Sequence, residues 1–286
     1  MRRTYRAAVV AALLAGCSVH APPSRASAPP APQRARVVAL VPSFADDLYA
    51  FGAGSQLVGV SAYTDAPGTA SLPRVADAGS VDAEAIVALR PALVVGIPAQ
   101  ARYVEPLRAA GIRVVLLPDD TFAQIFTNLQ ALGDLTGRAH AAAALAANLH
   151  AQTERLVRRA SRFTYRPSVF VVLGSAPIWT AGSGSYIATL IALAGGRNAA
   201  ADLRAPYGQY SAEALLRDRP DVLVTDPASN LRAVLDREPW RSLPAVRLRH
   251  VYVVDPDTLE RPGPSYNEGL RWLVERLSDA QPRASR

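Results

Sequence analysis

Few side chains in this sequence are suited to making or breaking bonds. The single cysteine, Cys17, excludes an internal disulfide and any cysteine-bound zinc or iron–sulfur centre. The four histidines are His20, His140, His150 and His250. His140 and His150 stand ten apart on one expected helix, which reads as two different faces, and His250 precedes a strand alone. A transition-metal cage needs several convergent His and carboxylate ligands. No metal site and no cofactor are therefore expected. A Gly-x-Ser-x-Gly elbow, a Walker loop and a cysteine nucleophile are absent, so the expectation is no catalysis.

The sequence instead offers rings and charges between its expected elements. Tyr63, Trp179, Tyr207 and Tyr210 fall in expected strand-to-helix loops, and ligands of open α/β sheets bind at those carboxyl-end crevices. Aromatic faces bury area at small entropic cost and suit a flat guest. Each ring has a plainer reading as a core or rim aromatic, and Tyr49, Phe51, Phe122 and Phe126 are assigned to packing inside helices. Asp257 and Arg261 either contact a guest or pair with each other on the surface, a link worth about 0–1 kcal/mol.

The elements that must position these residues alternate. Strands are expected at 36–41, 57–60, 93–95 and 114–117, then 169–173, 222–225 and 251–254. Helices are expected at 82–89, 122–135, 138–162, 186–194, 212–217 and 267–277. A further helix starts at Pro42-Ser43, with Ser43 as N-cap and Asp46 and Asp47 in its first turn. Alternation of this kind predicts mainly parallel sheets with helices on both faces. The segment from Arg138 to Arg162 contains no Gly or Pro and carries Leu145, Leu149 and Leu156 along one stripe.

The pattern repeats itself. Residues 83–95, AEAIVALRPALVV, align with 212–224, AEALLRDRPDVLV; six of thirteen positions are identical and four more exchange one aliphatic for another. A common αβ turn would explain such a match by convergence. Two lobes of like fold explain it better. The repeat keeps one acid in each copy, Glu84 and Glu213.

The chain has 286 residues, half of them hydrophobic and 19% charged, which suits a globular body of two domains. Its net charge is +7, but Arg2, Arg3 and Arg6 belong to an export segment; without them 28 Arg face 24 acids. The remaining Arg are scattered rather than striped, so no nucleic-acid partner is expected. After those Arg come a short apolar run, Ala7–Leu14, and Leu14-Ala15-Gly16-Cys17. The run is too short to span a bilayer. Small residues before a Cys resemble the bacterial lipobox, which makes Cys17 a lipidation site; an ordinary signal peptide with a chance Cys is the plainer alternative. Residues 18–34 hold five prolines among Ala and Ser and read as a tether.

Taken together, the chain resembles the helical-backbone substrate-binding proteins of ABC importers for cobalamin (vitamin B12), ferric siderophores and haem. The resemblance covers about residues 36–280. It is carried by the opening RVVALVPS at 36–43, by VGVSAYTDAP at 58–67, by IWTAG at 178–182, by RAPYGQYS at 204–211 and by the segment 257–261. It implies two Rossmann-like lobes with mainly parallel sheets, joined by one long backbone α-helix. The implied boundaries are a lipoprotein signal peptide at 1–16, a Pro/Ala-rich tether at 17–35, an N-terminal lobe at 36–137, a linking helix at 138–163 and a C-terminal lobe at 164–286.

The resemblance implies that Tyr63, Trp179, Tyr207, Tyr210, Asp257 and Arg261 face a corrinoid or other bulky metal chelate in the inter-lobe cleft. A haem iron bound by the Tyr63 phenolate is a further alternative. It also implies that Glu84 and Glu213 dock on Arg residues of an ABC permease dimer, whose ATPase subunits hydrolyse the ATP. The plain alternative is that each Glu supports a helix first turn. A monomer, lipid-anchored in the periplasm or at the cell surface, follows from the same comparison. An enzyme and a lipid-tethered adhesion protein are the rival classes.

Overall fold

The computed structural model describes residues 35–77, 79–229 and 235–282. Cys17, the segment 1–16 and the tether up to residue 34 lie outside the described residues.

Short apolar runs make the first sheet. Strands β1 (Val37–Ala39), β2 (Leu57–Ser61), β3 (Arg74–Ala76), β4 (Leu93–Gly96) and β5 (Val114–Leu116) lie in the order β3-β2-β1-β4-β5, all parallel. Val37, Val38 and Ala39 are wholly buried, as expected for a central strand covered on both faces.

The second sheet contains β6 (Ser168–Ser175), β7 (Ile178–Ala181), β8 (Arg197–Asn198), β9 (Tyr207–Gln209), β10 (Val222–Thr225) and β11 (Val251–Val253), in the order β11-β10-β6-β7-β9 with β8 also on β6. Strands β6, β8, β10 and β11 are parallel; β7 is reversed, antiparallel to both β6 and β9. The two residues between β6 and β7 dictate that reversal, because a parallel return needs a crossover of about a dozen residues. Trp179 and Tyr207 therefore sit in strands, which corrects their placement in loops. Both strands are short; Gly182 follows β7 and Gly208 lies within β9, a composition that reads as loop.

The helices follow the apolar period. They are α1 (Pro42–Ala50), α2 (Ala83–Ala88), α3 (Glu105–Ala109), α4 (Phe122–Leu135), α5 (Ala139–Ala160), α6 (Tyr186–Leu193) and α7 (Ala212–Asp218), with short turns and a last helix at Tyr266–Asp279. One capping expectation fails. The N-cap of α1 is Val41, Pro42 takes the first helical position, and Ser43 is buried inside the first turn. Asp46 and Asp47 thus fall about one turn deeper than a macrodipole contact would need.

The 22 residues of α5 span about 33 Å. Ala142, Leu149, Thr153 and Ala160 form its buried stripe, with Leu145 and Leu156 half-buried beside it. Its N-terminal half presses on α4, where a β-carbon built on Gly133 would stand 2.6 Å from that of Ala142. Its middle is tied to the last helix. The Thr153 hydroxyl lies 2.6 Å from the Tyr266 hydroxyl and 3.0 Å from Asn267 Oδ1, and Asn267 Nδ2 donates to the Leu149 carbonyl at 3.2 Å. Around these helices one continuous apolar core runs from Val37 and Leu93 of the first sheet to Val169 and Val222 of the second.

The internal repeat has a three-dimensional counterpart. Asp82 caps α2 by accepting from Ala85 N–H, and Ser211 caps α7 by accepting from Ala214 N–H. Arg90 and Arg219 then turn the chain at φ 48° and 46°, each just before a proline. Ala92 N–H bonds Arg36 at 2.8 Å and Asp221 N–H bonds Ser168 at 2.9 Å, which admits β4 beside β1 and β10 beside β6.

Candidate functional site

The parallel strands of both sheets point their carboxyl ends toward one region, where the two lobes meet. Tyr63 follows β2. Its loop is fixed by a Ser61–Thr64 hydroxyl pair at 2.9 Å and by Arg74, which donates to the Thr64 carbonyl at 2.7 Å. The loop is therefore anchored while the Tyr63 ring stays 62% exposed. Trp179, 42% exposed, pairs with Gln209 across β7 and β9, and Ala181 pairs with Tyr207. Alternation puts Trp179 and Tyr207 on the same face of that ribbon. The Tyr207 phenol is pushed well above its ordinary range by burial and by the nearby Asp119, Asp120 and Glu260.

Arg261 joins the lobes. Its Nη1 lies 3.3 Å from Asp46 on α1 and 2.6 Å from Asp65 after β2. Its Nη2 lies 2.7 Å from Asp257 and donates to the Tyr63 carbonyl at 3.4 Å. Only 12% of the side chain is exposed. A second link runs from Tyr186 N–H at the start of α6 to the Asp120 carbonyl, 2.7 Å.

The carboxylates respond in opposite senses. Asp65, solvent-exposed and at the shorter distance, is held below its usual range by its hydrogen bond from Arg261. Asp46 is half-buried and more distant, and that burial pushes it up to about 6 despite Arg261. Burial also raises Asp47, followed by repulsion from Asp46 and Asp119, and one of its carboxyl oxygens has no hydrogen-bond partner. Burial and Asp120 raise Asp119 to about 6; burial, Asp226 and Asp257 raise Glu260 to about 7, although its side chain still reaches water.

The structure thus brings Tyr63, Asp257 and Arg261 together, while Tyr207 and Trp179 share one face of the β7–β9 ribbon. Tyr210 goes elsewhere. Its ring packs on Phe170 in the far-side core and its hydroxyl bonds Asp202 and Asp218, so it holds α7 and leaves the cleft to others. Sequence reasoning missed Asp46, Asp65, Asp119 and Glu260. No local pattern marks them, because their shared field exists only once the lobes meet.

Glu84 and Glu213 occupy matching positions in the first turns of α2 and α7, exposed and without an ion pair among the described residues. His140 and His150 border one shallow recess with Phe126, and the His150 ring stacks on Phe126 at 3.9 Å. Ten residues advance a helix by about 1000°, leaving the two roughly 80° apart rather than on opposed faces. Another recess, lined by Tyr165, Asp221 and His250, lies at the amino ends of β6, β10 and β11, on the opposite edge from the cleft. Among the described residues no cluster of three or more His, Cys, Asp or Glu has metal-binding geometry.

The family model described as periplasmic binding protein matches residues 37–258, most of the chain. The chain belongs to the periplasmic binding protein family. Membership places this binding protein in the periplasm or outside the cell. The vitamin B12-binding protein of Vibrio cholerae is 29% identical over 255 residues, 86% of this chain and 90% of that one. An uncharacterised ABC transporter substrate-binding lipoprotein of Bacillus subtilis, YvrC, is 28% identical over 250 residues, 85% of this chain and 79% of its own. Among solved structures, the periplasmic haem-binding protein RhuT of Roseiflexus sp. RS-1 superposes with a TM-score of 0.78 at 26% identity, covering 87% of this binding protein and 99% of RhuT.

Proposed function

We propose that this binding protein captures a cobalamin-like corrinoid, or a similar bulky metal chelate, in the cleft between its lobes and delivers it to an ABC permease dimer with ATPase subunits. The observation that carries the reading is the pair of exposed rings, Tyr63 and Trp179, held on anchored elements at the carboxyl ends of two sheets. Ligands of open α/β sheets bind at the crevice outside the carboxyl ends of the strands, which is where these two rings stand. Tyr207, Asp257 and Arg261 complete the wall. The likeness to a vitamin B12-binding protein supports the corrinoid; the likeness to a haem-binding structure supports haem as a second reading, with ferric siderophores close to both.

The assembly reading has three parts. Residues 1–16 are removed, Cys17 carries the lipid, and 17–35 is the tether; the lipoprotein relative supports this. The body is monomeric, an N-terminal lobe at 36–137 and a C-terminal lobe at 164–286 on a linking helix. Glu84 and Glu213 are the permease contacts.

Calorimetric titration with cyanocobalamin, haemin and a ferric hydroxamate tests the capture reading. The expected result is one ligand per chain with a dissociation constant of micromolar or tighter, at least about 8 kcal/mol of binding free energy. No heat with any of the three overturns it.

A further inference from the structure

We infer that the cleft selects its chelate by charge, accepting neutral or cationic chelates and rejecting anionic ones; this rests on the capture reading above.

Arg261 is a basic group where the lobes meet, and it is already occupied. Its two terminal nitrogens are taken by Asp46, Asp65, Asp257 and the Tyr63 carbonyl, and the side chain is 12% exposed. An anionic ligand group would have to displace a carboxylate and leave that carboxylate unpaired, in the case of Asp46 a half-buried one. Arg74, the second guanidinium acting on Asp65, directs its Nη1 inward to the carbonyls of Ser61 and Thr64. Near Tyr207 the field is negative as well, since Asp119, Asp120 and Glu260 act on its phenol. Six acids thus stand against two guanidiniums, and of these Arg261 has both terminal nitrogens engaged by Asp46, Asp65, Asp257 and the Tyr63 carbonyl.

These acids are not the site. The site is the aromatic rim, and the acids set the sign of the potential across it. A ring system with charged carboxylates at its edge stacks on Tyr63 or Trp179 only by carrying negative charge into that field. A neutral amide-decorated ring, or a chelate with a protonated amine, meets no such cost.

The test compares ligands that differ in charge and little else. Haemin is set against its dimethyl ester, and cyanocobalamin against its monocarboxylate, in which one side-chain amide is hydrolysed. For each pair the uncharged member is expected to bind roughly tenfold more tightly per charge removed, the order given by one unit charge at ~8 Å in an effective dielectric of ~30. Raising salt from about 0.02 to about 0.5 M shrinks the gap. Asp65→Asn and Asp257→Asn, both on exposed side chains, are expected to improve binding of the anionic members. If an anionic member binds as well as its neutral partner, charge selection is overturned and capture stands. If no member of either pair binds, the capture reading fails and the selection falls with it.

Discussion

Asp46 shows how a single residue couples the clasp to solution conditions. A carboxyl raised to about 6 by burial binds its proton more tightly in the native state than in the unfolded chain, where it titrates near 4. Between those values the folded state holds the extra proton, so stability falls as pH rises through the window from about 4 to about 6. Below the window the group costs nothing; above it the penalty is complete, of order 2 kcal/mol for this 15% exposed side chain. Asp119 acts in the same direction, and Glu260, more open to water, adds less. Urea unfolding should therefore show the protein losing stability from pH 4 to pH 7. Asp46→Asn should flatten that slope while still accepting from Arg261. An unchanged slope in the variant would show that Asp46 titrates normally.

Elements hold these residues in place, and α5 is the one on which both lobes depend. Its contact with α4 is closest at Gly133, where any side chain meets Ala142 and the Ala139 backbone. Gly133→Val should cost roughly 2–3 kcal/mol in urea unfolding, because neither neighbour lies at the end of a flexible side chain. Ala144→Leu, on the exposed face of α5, should change stability by less than about 0.5 kcal/mol. Equal effects at the two positions would mean that the α4–α5 contact gives way without strain. Elements of this kind were legible in the sequence. The apolar period places α4 at 122–135 and α5 within two residues of its ends, and the apolar run gives β10 at 222–225. Strands β3 and β8, of three and two residues, carry too little pattern to read, and β7 and β9 are disguised by glycines. The repeat was legible down to the paired Arg90 and Arg219, although not their backbone twist. The site was only half legible. Resemblance drew attention to Tyr63 and Arg261, but the contact of Arg261 with Asp65, 196 residues away in sequence, is tertiary and has no local signature.

At the scale of the whole molecule, the docking proposed above asks the duplication to meet a symmetric reader. Glu84 and Glu213 sit at equivalent points of α2 and α7, on caps of the same geometry, exposed and with no ion pair among the described residues. A first-turn Glu gains some energy from its own helix, typically under about 1 kcal/mol, and that gain is local to each lobe. Docking makes a different demand: both acids must meet cationic pockets at once, so the spacing between lobes becomes part of recognition. Charge pairs at such a surface mainly govern encounter and orientation. Reversing one acid, Glu84→Arg, should therefore slow uptake of the ligand into cells at least tenfold, and reversing both should abolish it. Ligand affinity and the urea midpoint should stay within about twofold and about 1 kcal/mol of the parent, since neither side chain belongs to the cleft wall or the core. Uptake that survives the double reversal would assign the two acids to their helices alone. Loss of ligand affinity alongside uptake would mean that the α2 and α7 ends shape the cleft as well as the docking face.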